Sequence, residues 1–219
     1  MASGGGGTET PAPLSPEERD SWGTPPEAYR FLDRRYRFVA DMCASDTNHL
    51  HPTTWFTKER SCLAVSWAEY LERHCNVRAY PVDRESRSPI LRLLLASKKR
   101  ERAVSESESI TPPFVFLNVP YSDPEPFLEK CATECARGIG SVVLLKEQDG
   151  EAYWAAHVDR KAAEIVHITG RLAFLHPRTR KPQTGANFGS CLVVYDPRHD
   201  PNTPTIASWL SREALYAPI

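Results

Sequence analysis

The residue best placed for covalent chemistry in this chain is a cysteine near the head of an apolar-striped segment. Cys62 lies in TKERSCLAVSWAEYLERHCNVRAYPV, residues 57–82. Leu63, Trp67, Tyr70 and Leu71 recur there at helical spacing, Thr57 offers an N-cap, and Cys75-Asn76 a stop. The pattern predicts one helix over 57–74 and then a short strand, NVRAYPV. A thiol in the first turn of a helix faces the positive end of the dipole, which favours the nucleophilic thiolate. Such a nucleophile needs an imidazole base and a third group to orient it. His157 (AAHVD) and His167 (EIVHIT) are the candidate bases, and Asp196, Asp159 and Asn187 the candidate orienters, with His176 at a strand end nearby. Spacing does not choose between the histidines.

Other chemistry has less support. Cys43, His49 and His51 share one loop, but their spacing matches no closed zinc pattern. Cys131 and Cys135 share a helix face, as core cysteines do. The chain has no GxxxxGK[ST], GxGxxG, HExxH or GxSxG, so the common phosphate-loop, dinucleotide, zinc-protease and serine-hydrolase patterns are missing. No cofactor and no metal are expected on these grounds.

The unit formed by Cys62 and LAVSWAEYLERHCNVRAYP resembles the papain-like fold toxins and glutamine deamidases. In that group a nucleophilic Cys heads a helix that ends in a short strand, and a His and an Asp follow on two later strands. GEAYWAAHVDRKAAEIVHITG has the length and two-strand form of the second motif. In the natural register Glu151 falls where that group has its His, and His167 where it has its Asp. The resemblance implies a papain-like fold and a cysteine hydrolase acting on protein, by proteolysis or side-chain deamidation. Cys62 would be the nucleophile, and His157 or His167 the base.

These residues must be carried by the surrounding elements. The chain has 219 residues, 41% of them hydrophobic, enough for one good-sized core. Residues 1–24 are rich in Gly, Pro, Ser and Thr and read as a disordered tail. The rest reads as a single α+β domain, 25–219, with a mobile loop at 98–112 (KKRER followed by SESES). Tyr29, Leu32, Tyr36, Val39 and Met42 predict a first helix with a basic outer face. Pro89 opens another helix. PFVFLNV reads as a buried strand, and Asp123 to Gly138 as the best-marked helix. SVVLLKE, EAYWAAHV, AEIVHIT and RLAFLHP predict an antiparallel meander, CLVVYDP a last strand, and Thr203-Pro204 a closing helix. The expected architecture is therefore a helical N-terminal half packed on a C-terminal antiparallel β meander, papain-like or related.

The net charge of −1 supplies no global positive field, so nucleic acid is a partner the charge does not support. A protein substrate or partner is expected instead. No apolar run reaches the roughly 18–20 residues of a membrane span. Without a basic-then-apolar leader, the six cysteines read as reduced thiols of an intracellular, cytoplasmic protein. The alternative to an enzyme is a catalytically inactive, viral or effector-like interaction protein. It would engage its partner through the basic face of the first helix and the KKRER/SESES segment.

Overall fold

The computed structural model describes residues 12–82, 111–147, 150–183 and 188–217. Six strands form one sheet in the order β1-β2-β3-β5-β4-β6. They are β1 (Phe38–Asp41), β2 (Phe114–Asn118), β3 (Gly140–Lys146), β4 (Glu164–Thr169), β5 (Ser190–Tyr195) and β6 (Ile206–Ser211). β1 runs parallel to β2, β2 to β3 and β4 to β6, while β5 lies antiparallel between β3 and β4. Five strands thus point one way, and their carboxyl ends share one edge.

Alternation along the strands divides the interior into two cores. Val115 and Leu117, Val143 and Leu145, and Cys191, Val193 and Tyr195 face one side. They meet Trp67 and Leu71 of α3 (Trp67–Cys75), Leu128 and Cys131 of α4 (Glu125–Cys135) and Trp154 of α5 (Ala152–His157). Phe114 and Phe116, Val142 and Leu144, and Leu192 and Val194 face the other side. They meet Tyr29, Leu32 and Tyr36 of α2 (Pro26–Tyr36) and Leu215 of α6 (Arg212–Leu215). A short first helix, α1 (Pro16–Arg19), precedes α2. The protein is therefore a mixed α/β sandwich with helices on both faces. It is not a helical half set on an antiparallel meander.

The departures from expectation have local causes. The first helix stops at Tyr36 because Arg37 takes the left-handed conformation, its N–H bonded to the Asp33 carbonyl at 2.7 Å. Asp33 Oδ1 then accepts from the N–H of Phe38 at 2.8 Å, and the chain reverses into β1. Val39 and Met42 fit helical spacing equally well, which hid that strand. The expected helix 57–74 is broken in two by its serines. Ser61 caps a 3-10 turn (Cys62–Ala64), Val65 is extended, and Ser66 starts α3 by accepting from the N–H of Glu69. NVRAYPV belongs to no strand; Val77 and Ala79 pack on the core, the Val77 N–H bonds to the Leu71 carbonyl at 3.1 Å and the Tyr80 N–H to the Gly138 carbonyl at 2.9 Å. Gly138 has φ +94°, and a Cβ there would meet the Tyr80 carbonyl at 2.1 Å, so glycine is required.

EAYWAAHV is helical, as its three alanines favour, with Trp154 buried against the sheet. RLAFLHP contributes only isolated bridges at Leu175. The expected closing helix is mostly β6, an edge strand whose alternation puts Trp209 and Ile206 on opposite faces; Trp209 is 69% exposed and Ile206 65%. Residues 12–24, part of the expected tail, are anchored. A capping box between Ser15 and Glu18 nucleates α1, and Arg178 grips Glu18 at 2.6 and 2.7 Å. The helix expected from Pro89 and nearly all of the 98–112 loop lie outside the described residues.

Candidate active site

In open α/β sheets, ligands bind in the crevice outside the carboxyl ends of the parallel strands. Here that edge carries Asp41 at the end of β1, the loop Asn118-Val119-Pro120-Tyr121-Ser122 leaving β2, and Lys146 at the end of β3.

Asn118 ends an otherwise apolar strand and is half-buried. Its Nδ2 donates to the carbonyl of Trp22 at 2.8 Å. That bond fixes the amide, and Oδ1 has no protein partner among the described residues. Three residues on, the Tyr121 ring stands edge-on to Phe188 at 5.4 Å and to Phe174 at 6.1 Å. The Tyr121 hydroxyl is sealed from solvent and unpartnered among the described residues. Burial pushes its pKa up, so it stays a neutral donor without an acceptor. The Lys146 ammonium lies 5.7 Å from the centre of the Phe188 ring. The site therefore presents an amide oxygen without a protein partner among the described residues, an aromatic cluster and a cation at the rim.

Asp41 is 3% exposed and accepts from the N–H of Leu50 at 3.0 Å and of Cys43 at 3.4 Å. Burial dominates over these bonds and raises its pKa to about 6. A carboxylate has about four acceptor positions, and two N–H groups leave some open. The loop it organises is well built. His49 stacks on Trp55 at 3.8 Å, and Trp55 Nε1 donates to Asp46 at 2.8 Å.

The residues singled out by sequence lie elsewhere. Cys62 is 1% exposed, in a three-residue turn rather than at the head of a long helix. Its side chain meets Cys43, and Trp67 Nε1 donates to its carbonyl at 2.8 Å. His157 ends α5 and pairs with Glu125 at 3.4 Å. His167 is held by Glu147 and stacks on Trp209, ring centres 5.4 Å apart. Asp196 is clamped by Arg198 at 2.6 Å. No hydrogen bond joins Cys62 to any histidine among the described residues. Those residues also contain no cluster of three or more His, Cys, Asp or Glu able to hold a metal. Asn118 and Tyr121 escaped the sequence reading, where NVPYS served only as a boundary. The signal was present: a lone amide closing an apolar strand, followed by Pro and an aromatic residue.

An amide held on one side, followed three residues on by an aromatic cluster at the carboxyl edge of a mostly parallel sheet, marks the ligand-binding edge of an α/β protein. The chain belongs to the DNA N-6-adenine-methyltransferase (Dam) family, whose model matches residues 12–82 and 108–217. It is similar to a DNA N-6-adenine-methyltransferase of Escherichia phage T1, 26% identical over 204 residues, 86% of this chain and 66% of the relative. A second relative of the same description, from Haemophilus phage HP1, is 23% identical over 184 residues, 83% of this chain and 81% of the relative. The chain thus spans just under two thirds of the first relative's length. No solved structure matches. The family overturns the papain-like assignment, the cysteine-hydrolase function with its protein substrate, and the inactive-interaction alternative. Among the described residues no helix is long and apolar enough to cross a membrane.

Proposed function

We propose that this protein transfers a methyl group to the exocyclic N6 of adenine in DNA, with the target base turned out of the duplex into the Asn118–Tyr121 site. An enzyme that acts on a base edge must extrude that base and hold it by stacking and by hydrogen bonds to its edge. Tyr121, Phe174 and Phe188 supply the stacking surface. Asn118 Oδ1 accepts a hydrogen bond from the N6 amino group. The N6 lone pair is delocalised into the purine, and an aimed acceptor turns the amine so that the lone pair faces the incoming carbon. A neutral amide accepts this bond without taking the proton: the N–C bond forms as the S–C bond of the donor breaks and its electron pair stays on sulfur as a neutral thioether, and the cationic amine then loses a proton to water.

The methyl donor implied by the family is a sulfonium of the S-adenosylmethionine type, which when bound supplies an electrophilic methyl group. The residues fit one. The buried Asp41 carboxylate, with acceptor capacity left over, suits the donor's ammonium and hydroxyl groups. A DNA substrate also accounts for the Lys146 ammonium at the rim, and it implies action inside a cell.

The observation that carries this reading is the bond from Asn118 Nδ2 to the Trp22 carbonyl, which leaves Oδ1 fixed and free. The test is methyl transfer from labelled S-adenosylmethionine to duplex oligonucleotides with and without adenine. Wild type should label only the adenine-containing duplex, at N6. Asn118→Ala should lose about 100- to 1,000-fold in kcat, the scale for removing one positioned hydrogen bond at a reacting group. Label on cytosine, or full activity in Asn118→Ala, would sink the proposal.

A further inference from the structure

The loop that carries Asn118 and Tyr121 is held at both ends by one distant segment. At the near end the Trp22 carbonyl accepts from Asn118 Nδ2 at 2.8 Å. At the far end Asp20 takes both donors of Ser122: the backbone N–H at 3.2 Å to Oδ1 and the hydroxyl at 2.5 Å to Oδ2. The segment is itself fixed. Gly23 and Leu175 exchange two backbone bonds, 2.9 and 2.8 Å, and Trp22 meets His176 edge-on at 5.2 Å. Asp20 and Ser122 are 102 residues apart in sequence, so no local propensity joins them.

From this geometry we infer that Asp20 is a positioning residue for the reaction, and that Asp20–Gly23 belongs to the working active site. The inference rests on the reading of Asn118 and Tyr121 given above. An amide side chain has two orientations, and only a fixed acceptor at Nδ2 directs Oδ1 toward the target amine. The opposite orientation would set an N–H against the N–H of N6. The Trp22 carbonyl selects the orientation, and Asp20 holds the loop close enough to that carbonyl for the bond to form. Between the two anchors sit Pro120 and Tyr121, so a loosened Ser122 also tilts the aromatic wall. DNA is bound over a larger surface than this loop. Losing Asp20 should therefore appear in turnover rather than in DNA affinity.

The experiment uses the full chain with Asp20→Ala, Asp20→Asn and, as a control at the other end of the segment, Glu18→Ala. Asp20→Ala should lower kcat about 10- to 100-fold, the cost of misplacing a reacting group by about 1 Å, with the KM for DNA within about threefold of wild type. Asp20→Asn keeps an oxygen for the Ser122 N–H and a partner for its hydroxyl, and should recover most of the rate. Glu18→Ala should stay near wild type. Amide hydrogen exchange adds a readout independent of activity. The Ser122 N–H should exchange at least about tenfold faster in Asp20→Ala, with the β3 amides unchanged. Unchanged kcat in Asp20→Ala, a loss carried by KM, or equal loss in Asp20→Asn would each overturn the inference while leaving the methyltransferase reading intact. A wild type that transfers no methyl group to adenine would overturn that reading, and this inference with it.

Discussion

Cys62 and Asn118 are both polar side chains at the beginning or end of a structural element, and both sit among apolar neighbours. Their surroundings differ in one respect that decides function. Cys62 is closed in: its thiol meets Cys43, its carbonyl holds the Trp67 indole, and the surrounding core excludes water. Burial drives the neighbouring thiols of Cys43 and Cys131 well above the ordinary range, so those two sulfurs stay protonated packing groups. Asn118 is half-buried, with the nitrogen of its amide satisfied and the oxygen left without a protein partner among the described residues. A reactive residue type marks a site less reliably than hydrogen-bonding capacity that the fold leaves unspent.

The largest effect should separate these two regions directly. Asn118→Ala should abolish most turnover and leave the midpoint of thermal unfolding within a few degrees of wild type. Cys62→Ala should do the reverse, keeping kcat and costing about 1–2 kcal/mol in denaturant unfolding through the small cavity it leaves. Loss of turnover in a well-folded Cys62→Ala would dissolve the contrast.

Next in size is a residue that belongs to the closed region alone. Glu134 is fully buried, paired with Lys130 at 3.0 Å and Arg137 at 3.2 Å, and accepts from the N–H of Ala68 at 3.4 Å. It ties α4 to the start of α3. Glu134→Ala leaves the partly buried Lys130 ammonium and the Ala68 N–H without their acceptor, while Arg137 can turn to solvent, and should cost about 2–3 kcal/mol in urea unfolding. A cost below about 1 kcal/mol would mean that the pair barely offsets its own desolvation.

Asp41 belongs to the open edge, and its effect is pH-dependent. Its folded pKa of about 6 lies above the ordinary 3.8. The folded state therefore binds the proton more tightly, and the stabilisation is fully present below pH 3.8. It is lost as pH rises to about 6, and it amounts to about 3 kcal/mol. Unfolding free energies measured at pH 4 and pH 6.5 should show this decline in wild type and its absence in Asp41→Asn. Identical pH slopes in the two proteins would show that the carboxyl is better solvated than its burial implies.

How much of this was legible depends on what kind of signal each element carries. β2, β3, β4 and β5 could be read from apolar runs, and α4 from its Pro and Gly boundaries, because single-element periodicity was enough. β1 and β6 were hidden because Val39 and Met42, and Ile206, Trp209 and Leu210, satisfy helical spacing while their backbones pair in the sheet. α5 was hidden because six residues, with two adjacent aromatics among alanines, are too few to separate a helical period from a strand's. The site was the least legible part. It is assembled by contacts such as Asp20 with Ser122 and Trp22 with Asn118, which local propensity does not record. Asp20 and Trp22 also sit in a segment whose composition reads as a tail.

The smallest effect tests the argument from net charge. A total of −1 seemed to disfavour nucleic acid, yet binding depends on where the cations are. Lys146 lies at the rim of the site, and the 176–181 turn, with Arg178, Arg180 and Lys181, packs against Trp22 and Gly23 beside it. Arg178 is engaged with Glu18 and with the carbonyls of Ala12 and Pro13. Lys181 is exposed, its side chain has no ion-pair partner among the described residues, and it stands outside the catalytic contacts. A single phosphate contact contributes close to one unit to the slope of log K against log salt. Lys181→Ala should therefore weaken duplex binding only a few-fold at moderate salt, flatten that slope by about one unit, and leave kcat at saturating DNA unchanged. A slope identical to wild type would move the DNA path off this turn. A lowered kcat would mean that the turn acts on the reaction itself, through Trp22 and the segment that holds Asn118.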